Sequence, residues 1–125
     1  ATLPNADVTI TARDFGFRIS APIRRGVQTI RFENSGPQAH EMVLVKLEPG
    51  KQASDVRDWS ERGQEGPPPA TMLGGLSAIA VGGAATVTND FTPGEYALLC
   101  FMPDTRKAPH TPHAHQGMTM QFTVR

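Results

Sequence analysis

Residues 93–125 read PGEYALLCFMPDTRKAPHTPHAHQGMTMQFTVR, and they hold the only cysteine and three of the four histidines of the chain. Two runs in this stretch carry an apolar residue at every second position, one ending at Cys100 and one beginning at Met118. A period of two is typical of half-buried strands, so both side chains are predicted to point inward at one end of a sheet. The proline-rich loop between them carries His110, His113 and His115.

These side chains form a set of donors that soft metals prefer. A thiolate, an imidazole and a thioether suit copper and poorly suit magnesium or calcium. Taken singly, each has a plainer interpretation, because a lone cysteine is usually a small buried hydrophobe. Equally, a strand methionine fills a core and a loop histidine is solvated. The joint arrangement nevertheless predicts a metal site once His40 is added, since His40 begins the strand-like stretch HEMVLVKL after a loop containing Gly36 and Pro37.

Further strands are predicted on both sides of this stretch. Residues 7–19 read as one strand bent at Gly16, and residues 27–34 as a second strand after Gly26. Residues 85–91 and 94–101 flank the turn Thr92-Pro93-Gly94. Tyr96, just past that turn, is predicted to pin the corner with its hydroxyl.

The middle of the chain has a different character. Ser54 or Asp55 is predicted to cap a short helix that ends before Gly63 and packs on the sheet through Val56 and Trp59. Residues 63–85, rich in proline and glycine, read as a long excursion with short extended pieces. It is either a surface connection or a wall beside the metal with Met72 as a donor.

Composition bounds the remaining possibilities. A chain of 125 residues that is 38% hydrophobic predicts a single domain over residues 1–125. A formal net charge of zero gives no electrostatic case for nucleic acid or an anionic membrane. No run approaches the roughly eighteen apolar residues of a membrane span. The start ATLPNADVTI is typical of an exported chain after removal of its leader, and one cysteine excludes an internal disulfide.

Three segments together resemble the cupredoxins, the small blue copper proteins similar to plastocyanin and pseudoazurin. They are GVQTIRFENSGPQAHEMVLVKL, the later PGEYALLC, and the spacing His-x4-Met of His113 and Met118. The resemblance covers the chain from about residue 7 to residue 125. It implies an all-β Greek-key sandwich of about seven or eight strands, with one short helix in a long connection.

Carried over by position, the resemblance implies one mononuclear type 1 copper site with the ligands His40, Cys100, His113 and Met118. His115 is the alternative to His113, because a shorter spacing before methionine also occurs in the family. Twelve residues separate Cys100 from His113, where family loops usually have two to four. In the family arrangement the cysteine is the strong donor, the methionine tunes the metal axially, and an exposed imidazole edge is the route for electrons.

The implied function is transfer of single electrons between redox protein partners, in the periplasm or another exported location, without enzymatic activity. The alternative is a cupredoxin-fold protein that carries or stores copper, or that binds no metal. A multicopper oxidase or nitrite reductase is disfavoured because a trinuclear cluster needs about eight histidines and this chain has four. A cysteine hydrolase is disfavoured because Cys100 is predicted at a strand end without a helix N-terminus after it.

Overall fold

The computed structural model describes residues 3–106 and 108–125. The elements in chain order are β1 (Val8–Arg13), β2 (Gly16–Ile19), β3 (Gly26–Asn34), β4 (His40–Leu47), α1 (Ala53–Glu61), β5 (Ala70–Ile79), β6 (Ala84–Phe91), β7 (Gly94–Leu99) and β8 (Thr119–Val124). The strands form two four-stranded sheets, with the orders β2-β1-β3-β6 and β5-β4-β7-β8. The predicted all-β sandwich of seven or eight strands with one short helix is therefore confirmed.

The core lies between the two sheets and follows the alternation in the sequence. Ile10 and Phe32 of the first sheet are fully buried in one cluster with Leu44 and Leu98 of the second, and Cys100 closes the cluster at one end. Burial of apolar surface on this scale is the main force holding two sheets face to face. The strand ends next to Cys100 are thereby fixed by the core.

The turn before β7 holds the corner predicted for it. The Tyr96 hydroxyl donates a hydrogen bond to the Thr92 carbonyl at 2.6 Å. The Tyr96 ring itself is buried in the main core. The predicted corner pin is confirmed, and it fixes the direction in which β7 leads toward Cys100.

Helix α1 packs against β7 and β8. Val56 and Trp59 are both buried, as predicted. The predicted cap, Ser54 or Asp55, was wrong by two or three residues, because the N-cap is Gln52 and Asp55 acts from the first turn. The Asp55 carboxylate accepts the Gln52 N–H at 2.8 Å, and the Ala53 N–H donates to the Gln121 side chain at 3.1 Å. Both contacts satisfy first-turn donors that have no partner within the helix.

The prediction of one bent strand over residues 7–19 was wrong. The chain reverses completely at Asp14 and Phe15, so β1 and β2 form a hairpin in which Arg13 is paired with Gly16. The inward residues are even-numbered in β1 (Val8, Ile10, Ala12) and odd-numbered in β2 (Phe17, Ile19), so the alternation changes phase at the two-residue turn. The reversal was missed because this change of phase was taken for a bend at Gly16.

The long excursion contains a ten-residue strand, β5, paired antiparallel with β4. The ladder is irregular beside Gly75, where an added Cβ would lie 1.8 Å from the Met42 carbonyl oxygen. Only glycine allows the two backbones to approach this closely. Met72 is paired with Val45, five residues along β4 from His40, and is 48% exposed, which contradicts the alternative of a wall beside the metal with Met72 as a donor.

In the part of the chain that the structure describes, no helix is both long and apolar enough to cross a membrane.

Candidate metal centre

His40 is placed by the loop that follows β3. The Asn34 side-chain amide donates to the Gln38 carbonyl at 2.9 Å and to the Ile79 carbonyl at 2.8 Å, while its oxygen accepts the Gly36 N–H at 2.7 Å. One buried asparagine therefore ties this loop to the end of β5. His40 follows as the first residue of β4 and is fully buried.

Cys100 and Met118 lie side by side where β7 and β8 separate. The Cys100 N–H donates to the Met118 carbonyl at 3.3 Å, directly beyond the last ladder pair. The Cys100 sulfur accepts the Glu41 N–H at 3.4 Å, which links it to the residue after His40. Both side chains are fully buried in the main core. Their predicted inward orientation is confirmed.

The loop from β7 to β8 folds back on itself before it reaches His113. Pro103 and Pro112 form a bridge across its base, and the Asp104 N–H donates to the Thr111 carbonyl at 3.0 Å. The His113 N–H donates to the Met102 carbonyl at 2.8 Å. We call this closure at Pro103 and Pro112 the neck of the loop. The neck brings His113 against Met102, which lies only two residues after Cys100 in the sequence.

Three donor atoms meet at this end of the sandwich. The Nδ1 atoms of His40 and His113 are 3.1 Å apart, and the Cys100 sulfur is 3.8 Å from the first and 3.5 Å from the second. All three residues are fully buried. The Met118 N–H also donates to the His113 carbonyl at 3.1 Å, so the backbone of the predicted fourth ligand is fixed against the third.

The other ring nitrogens face polar side chains. His40 Nε2 lies 2.6 Å from Asp14 Oδ1, and neither atom has a hydrogen-bond partner elsewhere among the described residues. The Gln38 amide donates to Asp14 Oδ2 at 2.7 Å, and its oxygen lies 3.4 Å from His113 Nε2. Asp14 and Gln38 thus connect the two imidazoles behind the donor atoms. A carboxylate beside Nε2 keeps the proton there and leaves the Nδ1 lone pair free.

Burial dominates the electrostatics of the site. It lowers the pKa of His40, against the opposing charge of Asp14. It also lowers the pKa of His113, to which His40 contributes in the same direction. Burial raises the pKa of the Cys100 thiol, although backbone donors at Glu41 and Met102 act against it. Without a cation the site therefore holds two neutral imidazoles and a protonated thiol.

The donor atoms fit a metal ion. A point equidistant from the corners of a triangle with sides of 3.1, 3.5 and 3.8 Å lies about 2 Å from each corner, close to the bond lengths of about 2.0 to 2.3 Å that nitrogen and sulfur ligands make to zinc. The two Nδ1 atoms face each other, and the Cys100 sulfur lies beside both. Two imidazoles and one thiolate in a trigonal set, with methionine nearby, are typical of copper rather than of closed tetrahedral zinc.

The other two loop histidines lie outside this cluster. His115 Nδ1 lies 3.5 Å from the Glu61 carboxylate of α1, and the His115 side chain is 15% exposed rather than solvated as predicted. His110 is exposed in the outer loop, where its Nδ1 lies 2.8 Å from the Asp104 carbonyl. The structure therefore brings together His40, Cys100 and His113.

The predicted exposed imidazole edge was wrong. His113 is 0% exposed, because the hairpin tip and the base of the loop cover it. The Phe15 ring packs 5.2 Å from its ring centroid, and Gln38 lies at its Nε2 edge. Sequence reasoning missed Asp14, Phe15 and Gln38. Only Gln38, two residues before His40, could have been suspected, since the hairpin that delivers the other two was not recognised.

Several solved structures have a similar fold. Reduced auracyanin from the photosynthetic bacterium Roseiflexus castenholzii is 26% identical with a TM-score of 0.58, and the match covers 97% of this chain and 99% of that chain. Rusticyanin from Thiobacillus ferrooxidans is 17% identical with a TM-score of 0.58, covering 94% and 76%. A reduced Cu(I) form of an amicyanin variant is 14% identical with a TM-score of 0.51, covering 98% and 86%. The last two likenesses show the fold alone. No protein-family model and no curated protein matches this sequence.

Proposed function

Because this chain is a cupredoxin by fold, we propose that it binds one copper ion at His40, Cys100, His113 and Met118 and transfers single electrons between protein partners. The observation that carries the proposal is the triangle of donor atoms, whose spacing suits one metal ion.

Bound copper supplies a one-electron couple between Cu(II) and Cu(I). The protein contributes a donor set that need not rearrange when the charge changes. Asp14 and Gln38 hold the rings from behind, and the Glu41 N–H holds the sulfur. Cys100 loses its proton on binding and becomes the strong donor. Met118 is the proposed weak axial donor.

Burial of the donors supports electron transfer over the alternative of copper delivery or storage. His40, Cys100 and His113 are all fully buried. A carrier must exchange its metal with a partner, which requires ligands that the partner can reach. Electrons cross a thin protein layer, whereas handing an ion directly to a partner needs donors at the surface. The same burial disfavours an enzymatic role, since no substrate reaches the donors.

The resemblance to the cupredoxins also supports an exported location, and we propose a periplasmic or other extracytoplasmic protein. Its partners are proposed to be redox proteins rather than nucleic acid or membrane. The proposed functional unit is one domain over residues 1–125.

The test is addition of Cu(II) to the purified protein, followed by visible absorption spectroscopy. A Cu(II)–thiolate bond gives intense visible colour, so one equivalent is expected to turn the protein blue. Cys100→Ser is the matched control, because it changes one buried sulfur to oxygen and is expected to stay folded and colourless. A colourless native protein, or a coloured Cys100→Ser variant, would contradict the proposed site.

A further inference from the structure

The closed position of His113 raises the question of where electrons enter the molecule. Phe15 is the aromatic side chain that packs on the His113 ring, with centroids 5.2 Å apart. It lies at the tip of the β1–β2 hairpin and is half-buried, so part of its ring meets solvent. Arg106 covers another part, with its guanidinium carbon 5.0 Å from the ring centroid. Phe15 therefore connects the buried imidazole with the molecular surface.

An open groove of about 600 Å³ runs beside Phe15 along the hairpin. We call this surface the hairpin face and define it by Arg13, Phe15, Phe17 and Arg18, which all line the groove. It combines two partly exposed aromatic rings with two exposed arginines. Aromatic residues and arginine are the residue types most enriched where proteins bind one another.

The charge that the hairpin face offers to solvent is positive. Among the described residues, neither Arg13 nor Arg18 lies within 4.0 Å of a carboxylate, and the Arg13 guanidinium donates to the Ser35 carbonyl. Arg106 is paired with Asp104, so that pair adds little net charge. The one carboxylate at the groove, Asp14, has its side chain only 6% exposed and faces His40 and Gln38.

We propose that the hairpin face is the docking surface for an acidic redox protein, and that electrons pass between that partner and the metal centre through the Phe15–His113 contact. The inference rests on the proposed function. One electron leaves the reduced partner and reduces Cu(II) to Cu(I), or moves in the opposite direction, and no bond or proton is exchanged. Docking at this face places the partner against Phe15, which packs on the His113 ring and is half-buried.

The docking position is tested by NMR with hexacyanochromate(III), a paramagnetic anion that does not exchange electrons here. Added to the Cu(I) protein, it is expected to broaden the backbone amide signals of Arg13, Phe15 and Arg18. Broadening centred instead on the loop of residues 101–112 or on the opposite end of the sandwich would overturn the proposal. Because the anion needs no metal, the same titration of the metal-free protein gives this answer independently of copper binding.

The charge dependence is tested by the rate at which hexacyanoferrate(II) reduces the Cu(II) protein. The double variant Arg13→Glu, Arg18→Glu is expected to slow this reaction at least tenfold at low salt, because electrostatic steering is worth about 10- to 1,000-fold. Oxidation of the Cu(I) protein by the cation tris(phenanthroline)cobalt(III) is expected to become faster in the same variant. A slower reaction with the anion together with a faster reaction with the cation indicates an effect of the local charge, because damage to the metal site would slow both reactions.

The matched control is Arg24→Glu, Arg25→Glu, which changes the net charge equally. Arg24 and Arg25 are exposed and precede β3 at the end away from the metal centre, roughly 25 to 30 Å along a nine-residue strand. The control is expected to change either rate less than the hairpin pair does. Equal effects of both pairs would show that only net charge matters and would overturn the docking surface.

Two further readouts keep the outcomes distinct. An unchanged visible spectrum shows that each variant has kept its metal site and fold, and Arg18→Glu alone replaces the double variant if the latter does not fold. Loss of blue colour from the native protein contradicts the proposed function and with it the electron route. A blue protein whose rates do not respond to the hairpin arginines contradicts the docking surface alone.

Discussion

His40 and His113 lie 73 residues apart in the chain, and their Nδ1 atoms face each other at 3.1 Å. Each ring also has its Nε2 edge against a polar side chain, Asp14 for one and Gln38 for the other. With the protons held on Nε2, two acceptor lone pairs point at the same small volume. The two Nδ1 atoms and the Cys100 sulfur thus form a set of donors already directed at the position of one cation.

The two neighbouring histidines of the loop should behave differently when removed. His113→Ala is expected to abolish the blue colour, because it deletes one corner of the donor triangle. His115→Ala is expected to leave the spectrum nearly unchanged, because that ring contacts Glu61 and the pair is worth at most about 1 kcal/mol of stability. Visible absorption with one equivalent of Cu(II) measures both. The reverse result would make His115 the ligand.

Met118→Leu is expected to retain copper and to raise the reduction potential. The thioether donates weakly to Cu(II), and leucine fills a similar volume without donating, so the reduced state is favoured. A change on the order of 59 mV is expected for each tenfold change in the ratio of Cu(II) to Cu(I) affinity. Spectroelectrochemistry checks the value, and complete loss of copper would show that Met118 holds the metal rather than tuning it.

Asp14→Asn is expected to raise the reduction potential while the protein stays blue. It removes a negative charge next to His40 Nε2, which lowers the basicity of that ligand and destabilises Cu(II) more than Cu(I). Glu41→Gln is the control, because Glu41 is adjacent to His40 in sequence but its carboxylate accepts the Phe101 N–H instead. Equal shifts in the two variants would mean that charge matters and the Nε2 contact does not.

The metal-free protein should lose stability as the pH falls below 6.5. Burial lowers the pKa of both His40 and His113 in the folded protein. The unfolded chain therefore binds protons at these histidines near pH 6.5, whereas the folded protein binds them only at a lower pH. The free energy of unfolding then falls by up to about 1.4 kcal/mol per pH unit for each histidine. The fall ends once the pH is below the pKa of the folded state. Urea unfolding between about pH 7.5 and about pH 5.5 measures the slope.

His110→Ala is the control for that slope, because His110 is exposed and lies outside the site. It should leave the slope unchanged, whereas His113→Ala should reduce it. Stability that rises on acidification would contradict the assignment of both imidazoles as buried and neutral.

The strands could be predicted from sequence because they follow local patterns, whereas the set of four ligands was implied by the resemblance to the cupredoxins. Alternation marked β4, β7 and β8, and it placed Cys100 and Met118 on the inner face. The Asp14–His40 contact was missed, because it depends on a two-residue chain reversal whose signal in the sequence, a change of alternation phase between Ala12 and Phe17, was taken for a bend. Burial of His113 was missed for the same reason, since Phe15 comes from that hairpin.

The glycine-rich strand β5 was missed for a different reason. Gly74 and Gly75 read as loop residues by propensity, yet Gly75 is where β5 approaches the Met42 carbonyl most closely. A strand that needs glycine, because its neighbouring strand leaves no room for a side chain, has the sequence of a loop. Strand β5 forms because of its contact with β4, and no local sequence pattern indicates it.

Because of the neck formed by Pro103 and Pro112, the number of residues in the loop does not determine the distance between the two ligands that it connects. Everything between those two prolines is an appendage, and the path that matters to the metal runs from Cys100 through Phe101 and Met102 across to His113. Along that path only two residues intervene, although twelve lie between in sequence. A change in loop length beyond the neck leaves the path from Cys100 to His113 the same, although Thr105 there donates to Gln38 Oε1 and Arg106 covers Phe15. A search pattern that counts residues from cysteine to histidine would therefore pass over a loop that in space has the ordinary length.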